Sequence, residues 1–255
     1  MAHTAHNTVG FEKAYNKSGF LQNAVLYEGA TATTYTMGTL VGILPAGQAS
    51  AGLLTSLTGA STIDDNTVIV GVAAETKTTT DSDKKVKVWP VINEVFKVSF
   101  DGHWDVAANK TSTATNRFHP NAETDSTGGA GAEAVGALMY IYEGPGKGDI
   151  KTITGHTTGA AGTAVLTVSG AFSALPTTAS KAVILVASSG NDRDAGVNVG
   201  SQLRISTASA SKVSVKKPAY GDGYVNVLSI DPKNLTMDVM IAPAKAVMTY
   251  GKTTT

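Results

Sequence analysis

The sequence contains no cysteine. Disulfide scaffolds, zinc–thiolate sites, iron–sulfur clusters and thiol nucleophiles are therefore excluded. An excess of charge of either sign is missing too: 20 Lys plus Arg balance 20 Asp plus Glu. A chain that worked mainly as a polycation on nucleic acid or anionic lipid would not be neutral, so neither nucleic acid nor membrane is an expected partner. Aromatic residues make up only 6%, a thin supply for the exposed ring platform of a carbohydrate-binding module. No apolar run approaches the ~18 residues that cross a bilayer. The longest, Val68 to Ala74 and Ala182 to Ala187, have the length of strands. Met1 to Asn7 carries neither a basic nor an apolar leader segment, and the expectation is a soluble protein synthesised in a cytoplasm. Amphipathic helix is equally scarce. Only Gly131 to Leu138 and Pro243 to Tyr250 offer short helical candidates, and Gly131 and Gly136 weaken the first by about 1 kcal/mol each.

What is present is β chemistry. The 255 residues include 34 Thr and 27 Gly, 42% are hydrophobic and only 16% are charged. That is too apolar for a disordered chain and too turn-rich for a helical one. Met1 to Asn23 is polar, with Phe11, Tyr15 and Phe20 set apart among Lys, Asn and Ser. Spaced aromatics in a segment with no core of its own are candidate partner-binding anchors, or they pack back onto the chain's own domain. From Ala24 onward short apolar runs alternate with Gly and Pro. Val68 to Ala74 is continuously apolar, as a strand buried on both faces must be. Lys85 to Val88 and Phe96 to Phe100 alternate with period two, the pattern of half-buried strands. Ala107 to Ala132 is rich in Asn, Thr, Ser and Gly and reads as an exposed linker. Strand-like segments follow at Leu138 to Tyr142, Ile150 to Thr154, Thr163 to Val168 and Lys181 to Ala187. A last group comprises Gln202 to Ser206, Lys212 to Val215, Tyr224 to Ile230 and Leu235 to Ile241. Asp231-Pro232-Lys233-Asn234 between the final two favours a type I turn, since Pro presets φ and Asp caps.

The expected fold is all-β: small barrel or sandwich units joined by Gly/Thr-rich loops. The expected division is an N-terminal arm over 1–23, a first β unit plus linker over 24–128, and a second β unit over 129–255 ending in a C-terminal hairpin. Net charge is −3 over the residues to 128 and +3 beyond, an imbalance within ordinary scatter.

Chemical motifs are weak. Gly144-Pro-Gly-Lys-Gly-Asp149 has the glycines of a phosphate loop, but Lys147 is not followed by Ser or Thr and a helix, so a solvated turn is expected. His3, His6, His103, His119 and His156 show no metal-binding spacing. His103-Trp104-Asp105 sets an imidazole and a carboxylate on one side of a strand without a Gly-x-Ser-x-Gly elbow. Asp81-Ser-Asp83 and Asn191-Asp-Arg-Asp194 cluster oxygens, but basic neighbours offset them and neither completes a calcium loop. Asn16, Asn109 and Asn234 begin glycosylation triplets, matches of low information. No catalytic residue, metal or cofactor is expected.

Gly146-Lys-Gly-Asp-Ile-Lys-Thr-Ile-Thr-Gly, Gly162-Thr-Ala-Val-Leu-Thr-Val, Phe172, Leu175-Pro176 and Ser180-Lys-Ala-Val-Ile-Leu run in a familiar order. This stretch resembles a β module of tailed-bacteriophage virion proteins, with Phe172 where Trp is usual. Gly38-Thr-Leu-Val-Gly42, Ile69 to Ala73 and the Val86-x-Val88 strand likewise resemble phage head decoration (cement) proteins. The resemblance implies a structural, non-enzymatic protein on the outer surface of a capsid, with the major capsid protein and further copies of itself, a trimer foremost, as partners. A major capsid protein and a tail or neck component are the alternatives within that class, and a carbohydrate-binding β module is the alternative outside it.

Overall fold

The computed structural model describes residues 12–16, 24–44, 52–57, 67–92, 94–100, 103–121, 134–157, 163–185, 196–205, 212–214 and 225–241; at 12–16, 104, 204–205 and 212–214 it describes the backbone alone. These residues are all-β, and none of them is helical. The helical candidate before Leu138 is a turn at 134–136; the one at Pro243 to Tyr250 lies outside the described residues.

Three groups of strands each curl toward a small barrel. The first holds β2 (Val25–Glu28), β3 (Thr34–Tyr35), β4 (Leu40–Ile43), β5 (Leu54–Ser56), β6 (Val68–Ala73), β7 (Lys77–Thr78) and β8 (Lys85–Pro90). Its main sheet runs β2-β8-β6-β4-β5, and a parallel bridge from Gly29 to Leu54 brings the last strand back to the first. β6 is the strand whose continuous apolar run demanded cover on both sides. Val70 and Ala73 face the barrel interior with Tyr35, Val41, Leu54, Val86 and Val88, while Ile69 and Val72 face outward into a second core. β8 shows the expected alternation, with Lys85 and Lys87 exposed and Val86 and Val88 buried.

Tyr35 plugs one end of this barrel. Its ring is fully buried, and its hydroxyl donates to Leu54 O and accepts from Ala30 N–H at 3.1 Å. One side chain thereby satisfies backbone groups on both sides of the closing bridge. The Thr79 hydroxyl donates to Ala30 O beside it.

The middle group holds β10 (Trp104–Ala107), β11 (Arg117–Phe118), β12 (Leu138–Glu143), β13 (Ile150–Thr157), β14 (Val165–Val168) and β15 (Lys181–Ile184). The order is β10-β15-β12-β13-β14-β11, and an Ala108–Pro120 bridge closes β11 onto β10. Ala107 to Asn121 is thus not the exposed linker that its polar composition predicts. Phe118 is fully buried, and Ser112 and His119 are buried with it. The Gly144 to Asp149 segment is the expected turn, running from β12 into strand β13. Gly144 there has φ +78°, and a Cβ on it would meet Ala179 O at 2.3 Å, so only glycine fits.

The third group joins distant parts of the chain: β1 (Glu12–Asn16), β9 (Glu94–Phe100), β16 (Gln202–Ile205), β17 (Lys212–Ser214), β18 (Val225–Asp231) and β19 (Thr236–Ile241). β9, β17, β16, β18 and β19 form a closed ring, because β19 pairs again with β9. β1 covers β9 over Glu94 to Lys97, next to the stretch that β17 covers from Ser99. Ser99, expected on the outer face with Lys97, is buried between its pairing partners on both sides. The β18–β19 hairpin forms as expected. Asp231 Oδ1 accepts from Lys233 N and Asn234 N at 3.1 and 3.2 Å, and Asn234 Nδ2 donates to Oδ2 at 2.7 Å. Leu235 leaves the turn at φ +51°, a conformation costing roughly 1–2 kcal/mol, and its buried side chain offsets that strain.

The strand pairing crosses the division expected at 128/129. β9 lies before it and pairs with β17 and β19 beyond it, and β10 and β11 pair with β15 and β14. The middle barrel is inserted between β9 and β16 of the third. One apolar cluster joins all three: Leu40, Ile69 and Val72 from the first, Tyr140, Val183 and Leu185 from the middle, and Phe96, Phe100, Val227 and Val239 from the third.

Replacing Tyr35 by Phe keeps the ring and removes the hydroxyl's two hydrogen bonds, while Ala30 N–H stays bonded to Leu54 O at 2.9 Å. The expected loss is about 0.5–1.5 kcal/mol in urea unfolding; no measurable loss would show that the hydroxyl adds nothing to the closure of the first barrel.

Candidate functional site

Among the described residues, a polar cluster lies on the middle barrel. β10 carries Asp105 opposite Val183 of β15, which lies opposite Tyr140 of β12. Tyr142, two residues along, shares the face of Tyr140 and reaches Asp105 across the intervening strand. Asp105 accepts a hydrogen bond from the Tyr142 hydroxyl, and His103 Nε2 lies 3.3 Å from Asp105 Oδ2. Burial, and then the negative charges of Asp105 and Glu143, raise the Tyr142 phenol above its ordinary value. The phenol is therefore held as a proton donor and is not activated as a nucleophile. Next to it Lys181 Nζ holds both carboxylate oxygens of Glu143 at 2.9 and 2.8 Å, which lowers the Glu143 carboxyl. Chemically this is a brace: two polar links that tie β10 and β15 to β12 on the surface of a barrel.

The sequence motif at His103 and Asp105 thus does bring imidazole and carboxylate together. Tyr142, the third member, carries no sequence signal, because only the β10-β15-β12 order brings it near. The other histidines stand apart: His119 follows β11 and His156 lies on β13, while His3 and His6 are outside the described residues. Asp83 is engaged by Lys77 at 2.6 Å, which lowers its carboxyl. With Leu26 to Glu28, residues Asp81 to Lys85 line an open depression of about 420 Å³. Asn191 to Asp194 lies outside the described residues. Among the described residues no three acidic or histidine side chains are grouped to hold a metal ion. Of the expected partner-binding residues, Phe11 and Phe20 lie outside the described residues, and Tyr15 is placed in β1 with its backbone opposite Val95.

No protein-family model, curated protein or solved structure matches the chain.

Tyr35 and Tyr142 are both raised above the ordinary value of 10.0, with burial the leading cause in each. The folded chain therefore keeps protons that the unfolded chain releases, and stability falls as pH rises above about 10. A phenolate absorbance titration is expected to contain a late-ionising component, and Tyr142→Phe is expected to remove part of it. An unchanged late component in that variant would show that the Tyr142 phenol is not among the raised groups.

Proposed function

We propose that the chain is a structural virion component, a head decoration (cement) protein that binds the outer surface of an assembled capsid. The observation that carries this reading is the folding of Gly144 to Ile184. Turn, Ile strand, Val strand, buried Phe172, Pro176 and closing strand follow one another in the order of the phage β module and form one side of a closed barrel. The surface chemistry described above, braces and turns, fits a scaffold. Its mechanism is mass action: a protein that binds only the assembled shell stabilises that shell. The major capsid protein is the partner, and a symmetric homo-oligomer, a trimer foremost, is the binding unit.

The arm over residues 1–23 is the proposed anchor. Each buried ring of Phe11, Tyr15 and Phe20 would contribute about 1.5–3 kcal/mol by area, offset by roughly 1–2 kcal/mol for every residue ordered. A repeated lattice multiplies such weak contacts. Within this segment Glu12–Asn16 already pairs with β9 as β1.

Co-sedimentation with heads of the phage that encodes the chain tests the reading. The full chain is expected to pellet with assembled heads and not with unassembled capsid protein, and to raise the temperature at which heads break. The chain lacking residues 1–23 is expected to remain folded and to bind heads at least tenfold more weakly. Binding of the full chain to a polysaccharide in place of heads would overturn the reading. Equal binding by the truncated chain would move the contact from the arm to a barrel surface.

A further inference from the structure

The middle barrel closes through a short seam. Asn109 N–H donates to His119 O at 2.7 Å, Asn121 N–H donates to Ala107 O at 2.8 Å, and Ala107 N–H donates to Asn121 Oδ1 at 3.1 Å. Pro120, at the bridge between them, has no N–H to add. His119 sits in this seam and is only 7% exposed. Its Nδ1 is buried and has no hydrogen-bond partner among the described residues, and the ring engages the backbone of Ala164 just before β14. The charged groups acting on it are both cations: Lys110, from the segment after β10, and Arg117 on β11 itself. β14 offers no titratable side chain from Val165 to Val168, and on β13 beyond it His156 lies opposite Leu166.

A neutral imidazole can leave one ring nitrogen bare at the cost of a missing bond. An imidazolium there would bury a proton donor with no acceptor, under the repulsion of two positive charges. We propose that His119 is a pH-sensitive latch: neutral, it lets β11 close the middle barrel onto β10, and protonated in mildly acidic surroundings it opens that seam. Burial, followed by the Lys110 charge, lowers the His119 ring below its ordinary value of 6.5. The sign follows from proton binding. Below about pH 6.5 the open state takes up a proton that the closed state refuses, so the closed state loses stability as pH falls toward the lowered value, and it is fully stable above 6.5.

Hydrogen exchange at the Asn109 and Asn121 amides, corrected for the intrinsic effect of pH, tests this on the full chain. From pH 7.5 to pH 5.0 their opening is expected to increase, up to a ceiling of about thirtyfold set by proton uptake of the open state at its ordinary value. The Val227 amide, which donates to Ser201 O in the third barrel, is expected to change less than twofold. His119→Gln, which keeps a side-chain donor and cannot be protonated, is expected to abolish the increase. Lys110→Gln, which removes one of the two cations and leaves the ring in place, is expected to reduce it. An imidazole proton resonance of His119 titrating at 6.5 or above in the wild-type chain, or the same acid response in Lys110→Gln as in wild type, would overturn the proposal whether or not His119→Gln folds.

Discussion

Every described barrel depends on one apolar contact region that none of them owns. Sheets of β4 and β6, of β12 and β15, and of β9, β18 and β19 turn one face each into it, and Phe96 is buried there without residual exposure. Small barrels have too little interior to be stable alone. Here β6, β12 and β15 bury both faces, one into their own barrel and one into the common core, so each strand supplies apolar side chains to two cores. At about 25 cal/mol per Å² of apolar surface removed from water, this second face gives three small units the stability of one larger body.

That shared core also sets the demands on chain order. Because the middle barrel is inserted between β9 and β16, the third barrel cannot close until the chain has passed through roughly a hundred intervening residues. Closure then uses non-local pairing, which is slow to form but cooperative once formed. The ends of the barrels are finished by single polar side chains: Tyr35 and Thr79 on the first, His119 and Asn121 on the middle one, Asp231 at the tip of the hairpin that closes the third. A surface so constructed offers braces and turns, which fits the structural role proposed for it.

Much of this was legible in the sequence. Strands with strict alternation or a continuous apolar run, β6, β8, β9 and β19, could be read directly, because two-sided or one-sided burial leaves a periodic trace. The Asp231 turn was legible through Pro232. The short strands β3, β5, β7 and β11 were not, since two or three residues carry no period. The segment from Ala107 to Asn121 misled for a related reason: Asn121 satisfies a backbone group at the barrel seam and Ser112 one within the loop, and composition cannot tell that from solvent exposure. Unit boundaries were hidden because β9 looks local in sequence while two of its partners, β17 and β19, lie more than a hundred residues away. In the candidate site His103 and Asp105 were visible as neighbours, whereas Tyr142 joins them only through strand order.

The most direct test of the common core is whether the chain unfolds as one body. Differential scanning calorimetry compared with van't Hoff analysis of the β circular dichroism signal provides it. A single transition is expected, with calorimetric and van't Hoff enthalpies that agree, and the whole of it moves to lower temperature in a Phe96→Ala variant. Two or three separable transitions, or a Phe96→Ala shift confined to one of them, would show that the barrels are independent and contradict the account.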